Sequence, residues 1–147
     1  MNTTIYTLGY IGRKLESVDA LLARFGAILV DVRMVPRSRT AIWNSGILRR
    51  HFGEQRYVWL KEFGNRNYKG TFEQIEIVNF PAGEQRLREL ITTTGRPVML
   101  MCGCPDVNTC HRKLLAEWLS QRWNAPIEHL LPRSENHDAT DHQPTLF

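Results

Sequence analysis

Apolar residues recur along this chain in two alternating rhythms. The run "TIYTLGY" is short and mostly apolar, and it reads as a buried strand ending at Gly9. In "LESVDALLARFG", Leu15, Val18, Leu21, Leu22 and Phe25 fall on one helical face, which predicts a helix stopped by Gly26. "AILVDVR" is near-continuous apolar sequence with a charged end, the pattern of a parallel strand covered on both faces. Pro36, Ser38 and Asn44-Ser45-Gly46 then break the chain, and a short helix is predicted around Ile47 to Phe52. Tyr57, Val58 and Trp59 suit a pleated surface and predict a third strand. Further on, the pattern predicts a helix over Phe72 to Val78 closed by Pro81, and another from about Ala82 to Thr94 stopped by Gly95. "PVMLMC" predicts a buried strand. "CHRKLLAEWLSQRW" predicts a helix with Leu114, Leu115, Trp118 and Leu119 on its apolar face, and "IEHLL" a last strand.

Strands that alternate with helices predict an α/β fold. The expected architecture is one Rossmann-like domain over residues 1–131, in three layers. It has a mostly parallel sheet of about five strands with helices on both faces. Residues 132–147 are polar and are expected to form a loosely ordered tail. In such sheets ligands bind in the crevice beyond the carboxyl ends of the strands. Those ends here carry Gly9, Tyr10, Gly12 and Arg13, then Asp31, Arg33, Pro36, Arg37, Ser38 and Arg39, then the cysteine segment. Three separate loops bearing polar groups are therefore expected to converge on one edge.

Charge sharpens this picture. The chain of 147 residues has a formal charge of +4, but residues 33–66 alone hold eight basic residues against Glu54 and Glu62. Fifteen of the 19 basic residues are arginine, whose forked donors suit phosphate and carboxylate groups. "DVRMVPRSR" thus reads as an anion clamp of Arg33, Arg37 and Arg39 acting with Arg13 and Arg112. The plain reading is that Asp31 pairs with one arginine while the others are solvated. The 33–66 stretch also interleaves Trp43, Phe52, Tyr57, Trp59 and Phe63 with its arginines, a composition that suits either a base-stacking nucleic-acid surface or a packed second layer. No apolar run approaches bilayer length, so no membrane association is expected. "MNTTIYTLGY" has neither a basic nor an apolar leader region, and the three cysteines are odd in number and clustered. A reducing cytoplasm is the expected location.

All three cysteines, Cys102, Cys104 and Cys110, lie within nine positions and run into His111 and Arg112. Asn108 or Thr109 is the expected N-cap of the late helix, which puts Cys110 in a first turn where the helix dipole favours a thiolate or a bound anion. Cys102 ends an apolar strand, where a free cysteine is commonly just a small buried residue. Cys102, Cys104, Cys110 and His111 carry the atoms of a zinc site. Their spacing is not one of the usual knuckle patterns, however, and Cys102 would have to leave its strand. No metal and no other cofactor is therefore expected.

The segments "YTLGYIGR", "LVDVRMVPRSR" and "CHRKLLAEWL" together resemble the family of domains of unknown function numbered 488, over roughly residues 4–131. The resemblance implies an α/β domain with a shared polar site at Gly9, Asp31, Arg33, Pro36, Ser38, Arg39, Cys102, Cys110, His111 and Arg112. Members often carry an acidic residue two positions after the strand cysteine, where this chain has Cys104.

The leading expectation is a pocket that binds a nucleotide or phosphate-like anion through Gly9, Arg13, Arg33, Ser38, Arg39 and Arg112. Cys110, His111 and Asp31 are its candidate catalytic groups. Two alternatives stay open: a non-catalytic nucleic-acid-binding module built on the 33–66 surface, and a redox or metal sensor built on Cys102, Cys104 and Cys110.

Overall fold

Two runs buried along their whole length, Ile28–Asp31 and Val98–Cys102, lie side by side within a five-stranded sheet. The computed structural model describes residues 2–70, 74–104 and 106–131. The elements are β1 (Ile5–Gly9), α1 (Leu15–Phe25), β2 (Ile28–Asp31), α2 (Ser45–Phe52), β3 (Tyr57–Trp59), α3 (Phe80–Thr94), β4 (Val98–Cys102), α4 (His111–Trp123) and β5 (Ile127–Leu130). All neighbouring strands are parallel, in the order β3-β2-β4-β1-β5. This is the Rossmann-like α/β architecture that the alternating pattern predicts.

Side-chain alternation along the strands sorts the core into two halves. Ile28, Val30, Val98, Leu100 and Cys102 face a layer containing Leu87 and Ile91 of α3 and Leu115, Ala116 and Leu119 of α4. Leu29, Met99 and Met101 face the opposite layer, with Val18 and Leu22 of α1 and Leu48 and Phe52 of α2. Helices therefore cover both faces, and β2 and β4 are buried along their whole length. Among the described residues, no helix is long and apolar enough to cross a membrane.

Two expectations change. The predicted helix over Phe72 to Val78 is absent at residues 75–78, while residues 71–73 lie outside the described part. Ile77 instead pairs with Asn65 in an isolated antiparallel bridge, and the Asn65 side chain accepts hydrogen bonds from the backbone of Asn67 and Glu76. Satisfying those donors across the loop competes successfully with a short helix that has little apolar face to bury. Pro81 consequently ends nothing. It sits in the first turn of α3, where its missing N–H is harmless, and the Asn79 carboxamide caps that helix from Ala82 N at 3.2 Å. The predicted tail over residues 132–147 lies outside the described residues.

β5 adds a titratable group at the sheet edge. His129 Nδ1 lies 2.6 Å from Thr7 Oγ1. Burial, followed by the charges of Arg112 and Lys113, holds the His129 pKa below its ordinary 6.5. On acidification the unfolded chain takes up this proton first, so the stability tied to neutral His129 is complete above the unfolded value and is lost as pH falls below it. Urea unfolding at pH values between about 7 and 5 is expected to show a steeper loss of stability in the wild type than in His129→Gln. Equal slopes would remove His129 from the account.

Candidate functional site

Because β4 lies between β2 and β1, the loops leaving these three strands meet above its carboxyl end. The register sets Gly9 beside Cys102 and Asp31 beside Met101. Each loop contributes a different kind of group.

The β2 exit contributes a buried ion pair. Asp31 Oδ1 accepts Arg33 Nε at 2.8 Å and the Arg33 backbone N at 3.1 Å. Its Oδ2 accepts Arg33 Nη2 and the Tyr57 hydroxyl, both at 2.6 Å. Burial opposes the charge of Arg33, yet Asp31 outweighs it and holds the guanidinium pKa above its ordinary value. Burial and then the Asp31 carboxylate raise the Tyr57 pKa far above that of a free phenol, so Tyr57 remains a donor. The other edge of Arg33 reaches the Tyr10 hydroxyl and the Arg37 carbonyl, each at 3.3 Å.

The β4 exit contributes sulfur. Residues 107–109 form a 3₁₀ turn opened by Asp106, whose Oδ1 accepts Asn108 N at 2.9 Å. The expected cap at Asn108 or Thr109 is therefore displaced, and fully buried Cys110 is itself the N-cap of α4. Alternation along β4 turns Cys102 toward α4. Its Sγ lies 3.8 Å from His111 Nδ1 and 3.9 Å from Cys104 Sγ. The ligand atoms of Cys102, Cys110 and His111 all fall within 4.8 Å of one another. Cys102 joins this cluster without leaving its strand, which corrects the expectation that it would have to.

His111 Nε2 lies 2.7 Å from the Val32 carbonyl oxygen. A carbonyl only accepts, so Nε2 carries the hydrogen, and Nδ1 faces the Cys102 sulfur. The Cys104 and Cys110 thiols hydrogen-bond to Cys102 and, with Arg112 assisting against burial, hold the Cys102 thiol well below its ordinary pKa. The same neighbours, Cys102 first, push Cys104 up.

Arg112, in the first turn of α4, is 1% exposed. Its Nη1 donates to the Cys104 carbonyl at 2.8 Å, its Nε has no partner, and no carboxylate among the described residues pairs with it. Gly9 makes room for this packing. A Cβ there would stand 2.6 Å from the Cys104 carbonyl and 3.0 Å from Arg112 Nη2.

These groups border a cavity of about 370 Å³. Arg33, Cys102, Cys104, Thr109 and His111 line one side, and Asn65, Tyr68 and Ile75 the other. No carboxylate is among its described lining residues.

Of the residues singled out in the sequence, Arg33 and His111 line the cavity, while Gly9, Asp31, Cys110 and Arg112 stand behind its wall. Asp31 orients Arg33. Arg13 staples strand ends, donating to the carbonyls of Gly9, Leu130 and Leu131 at 2.9 to 3.0 Å. Ser38 braces its own loop through Asn44 and Thr40, and Arg39 is exposed outside the cavity lining. Trp43, Phe52, Tyr57 and Phe63 are core residues, so the basic 33–66 stretch exposes Arg37, Arg39, Arg49, Arg50 and Arg66 without those stacking rings. Tyr10, Tyr57, Asn65 and the Val32 carbonyl were not among the predicted site groups. Asn65 had a faint signal in the turn-rich "GNRNYKG", and a backbone carbonyl has none.

A model of the family described as "Domain of unknown function DUF488" matches residues 14–119. No curated protein and no solved structure matches the chain.

Two substitutions test the framework of the site by denaturant unfolding. Asp31→Ala strands a buried guanidinium and is expected to cost about 3–5 kcal/mol, whereas Tyr57→Phe removes one hydrogen bond to a charged acceptor and should cost about 1.5–3 kcal/mol. Equal costs would mean that Arg33 does not depend on Asp31. Gly9→Ala should destabilise by about 1–3 kcal/mol through overpacking against the Cys104 carbonyl, and a neutral result would show that this contact yields freely.

Proposed function

This chain belongs to the DUF488 family, and from that premise we propose that its cavity at the carboxyl edge of the sheet binds a small ligand carrying an anionic group, with the Cys102–His111 cluster as the cavity's chemically reactive floor. One observation carries the reading. The cavity is bordered by Arg33, His111 and the start of α4, with buried Arg112 close behind, and no described lining residue is acidic.

The electrostatics favour an anion. Arg33 is already neutralised by Asp31, so it offers shape and hydrogen bonding more than net charge. Arg112 has no carboxylate partner among the described residues, and a buried cation in that state favours negative charge nearby. The first turn of α4 adds its unpaired N–H groups and the positive end of its dipole. Asn65, Tyr68 and Thr109 add neutral hydrogen-bonding groups to the walls. A cavity of about 370 Å³ has room for a small metabolite such as a mononucleotide.

The chemistry available at the floor is that of sulfur and imidazole. His111 presents a lone pair 3.8 Å from Cys102, and its ring is held in place by Val32. Catalysis through Cys110 has less to recommend it, because Cys110 is fully buried behind the cavity wall.

Isothermal titration calorimetry with inorganic phosphate and with adenosine monophosphate tests the reading. The expected outcome is saturable binding of at least one probe to the wild type and its loss in Thr109→Tyr, a rim substitution that fills the mouth. Binding that survives Thr109→Tyr unchanged, or no binding by either probe, would sink it.

A further inference from the structure

We propose that Cys102, Cys110 and His111 form a metal site for a thiophilic divalent ion of the zinc class, with three protein ligands and a fourth position open to the cavity. The inference deepens the pocket reading, on which its open fourth position rests.

Three independent observations point the same way. The first is the donor set. Two thiolates and an imidazole suit zinc, and three protein ligands with one open position are the hallmark of a reactive zinc centre. The second is distance. With metal–sulfur bonds of about 2.3 Å and metal–nitrogen bonds of about 2.0–2.1 Å, a tetrahedral ion sets its sulfurs about 3.8 Å apart and a sulfur and a nitrogen about 3.6 Å apart. Cys102 Sγ and His111 Nδ1 are 3.8 Å apart, and all three ligand atoms lie within 4.8 Å. Only small side-chain adjustments separate this arrangement from a closed coordination sphere.

The third is the outer shell. A metal-bound histidine commonly donates its other ring N–H to a carbonyl or carboxylate, which fixes the tautomer and aims the lone pair. His111 does this through Nε2 and the Val32 carbonyl at 2.7 Å. No other acceptor of this ring is needed to explain its orientation, and Nδ1 is left facing two sulfurs.

Charge and exposure locate the open position. A divalent ion with two thiolates and a neutral imidazole has no net charge, so the positive charge of buried Arg112 remains unbalanced. Cys110 is sealed inside, whereas Cys102 and His111 line the cavity, so the fourth position faces the cavity. An anion entering there completes both the coordination and the charge balance. Cys104 lines the same wall with its Sγ 3.9 Å from Cys102, yet it falls outside the group of three. We assign it a flanking place, not a ligand's.

The experiment is a cobalt(II) titration of the full-length, reduced, chelator-treated protein, followed by absorption spectroscopy. One equivalent of cobalt is expected to give thiolate-to-metal charge transfer in the near ultraviolet and strong visible bands of four-coordinate geometry, and zinc should displace it. Cys104→Ser should keep the charge-transfer signal and bind within a few-fold of the wild type. His111→Gln should weaken binding by more than the roughly 100-fold that an outer-shell change produces. Weak octahedral spectra with no sulfur charge transfer in the wild type overturn the site whether or not any variant folds. Loss of the signal in Cys104→Ser overturns the open three-ligand arrangement.

Repeating the phosphate and adenosine monophosphate titrations with and without zinc separates the two readings. Anion binding without any cobalt signature leaves the pocket and removes the metal. A cobalt signature that no anion perturbs leaves the metal ligands and removes the anion from the fourth position.

Discussion

The insertion of β4 between β2 and β1 governs everything else in this structure. In a parallel sheet every carboxyl end faces the same way, and a central strand has two neighbours whose exit loops crowd its own. Here those neighbours bring Asp31 with Arg33 on one side and Gly9 on the other, against the sulfur of Cys102. Nothing in the spacing of Gly9, Asp31 and Cys102 along the chain requires them to meet. The strand order does it, and α4 then closes the arrangement by returning over the same end.

Two buried guanidinium groups sit near this junction and are handled in opposite ways. Arg33 is held by a carboxylate that itself accepts four donors, so its charge is answered on the spot. Arg112 donates to the Cys104 carbonyl, and among the described residues its Nε is left without a partner. Burying an unanswered cation is costly unless negative charge is nearby. Arg112 acts on the cysteine cluster, where it helps the neighbouring thiols hold the Cys102 pKa below its ordinary value. The electrostatic character of the site follows from this asymmetry more than from the number of arginines in the chain.

What was legible in the sequence, and what was not, divides along physical lines. "AILVDVR" and "PVMLMC" are unambiguous because strands buried on both faces have no polar alternation to confuse, and the helix over 82–94 shows its face and its glycine stop. Convergence of the three loops followed from strand direction alone. The segment before Pro81 misled, because the Asn65 side chain organises that loop from outside it. Cys102 was judged by its spacing to the other cysteines along the chain. Its partnership with His111 instead depends on which face of β4 it occupies and on a carbonyl at Val32. Arg13 resembled a clamp residue for a similar reason, since the carbonyls it staples come from the far end of the chain.

The same strand order has a consequence for how the chain comes together during synthesis. β2 and β3 are made early and close in sequence, and they pair with each other. Of the five strands β1 is made before the others, yet both of its partners, β4 and β5, lie beyond residue 97. As the polypeptide emerges from amino to carboxyl end, β1 waits with both hydrogen-bonding edges vacant until β4, the fourth strand made, arrives. The earliest strand of the sheet is thus fully paired only when β4 and β5 are both in place, and the cavity floor, made of residues 102 to 111, is synthesised between those two strands.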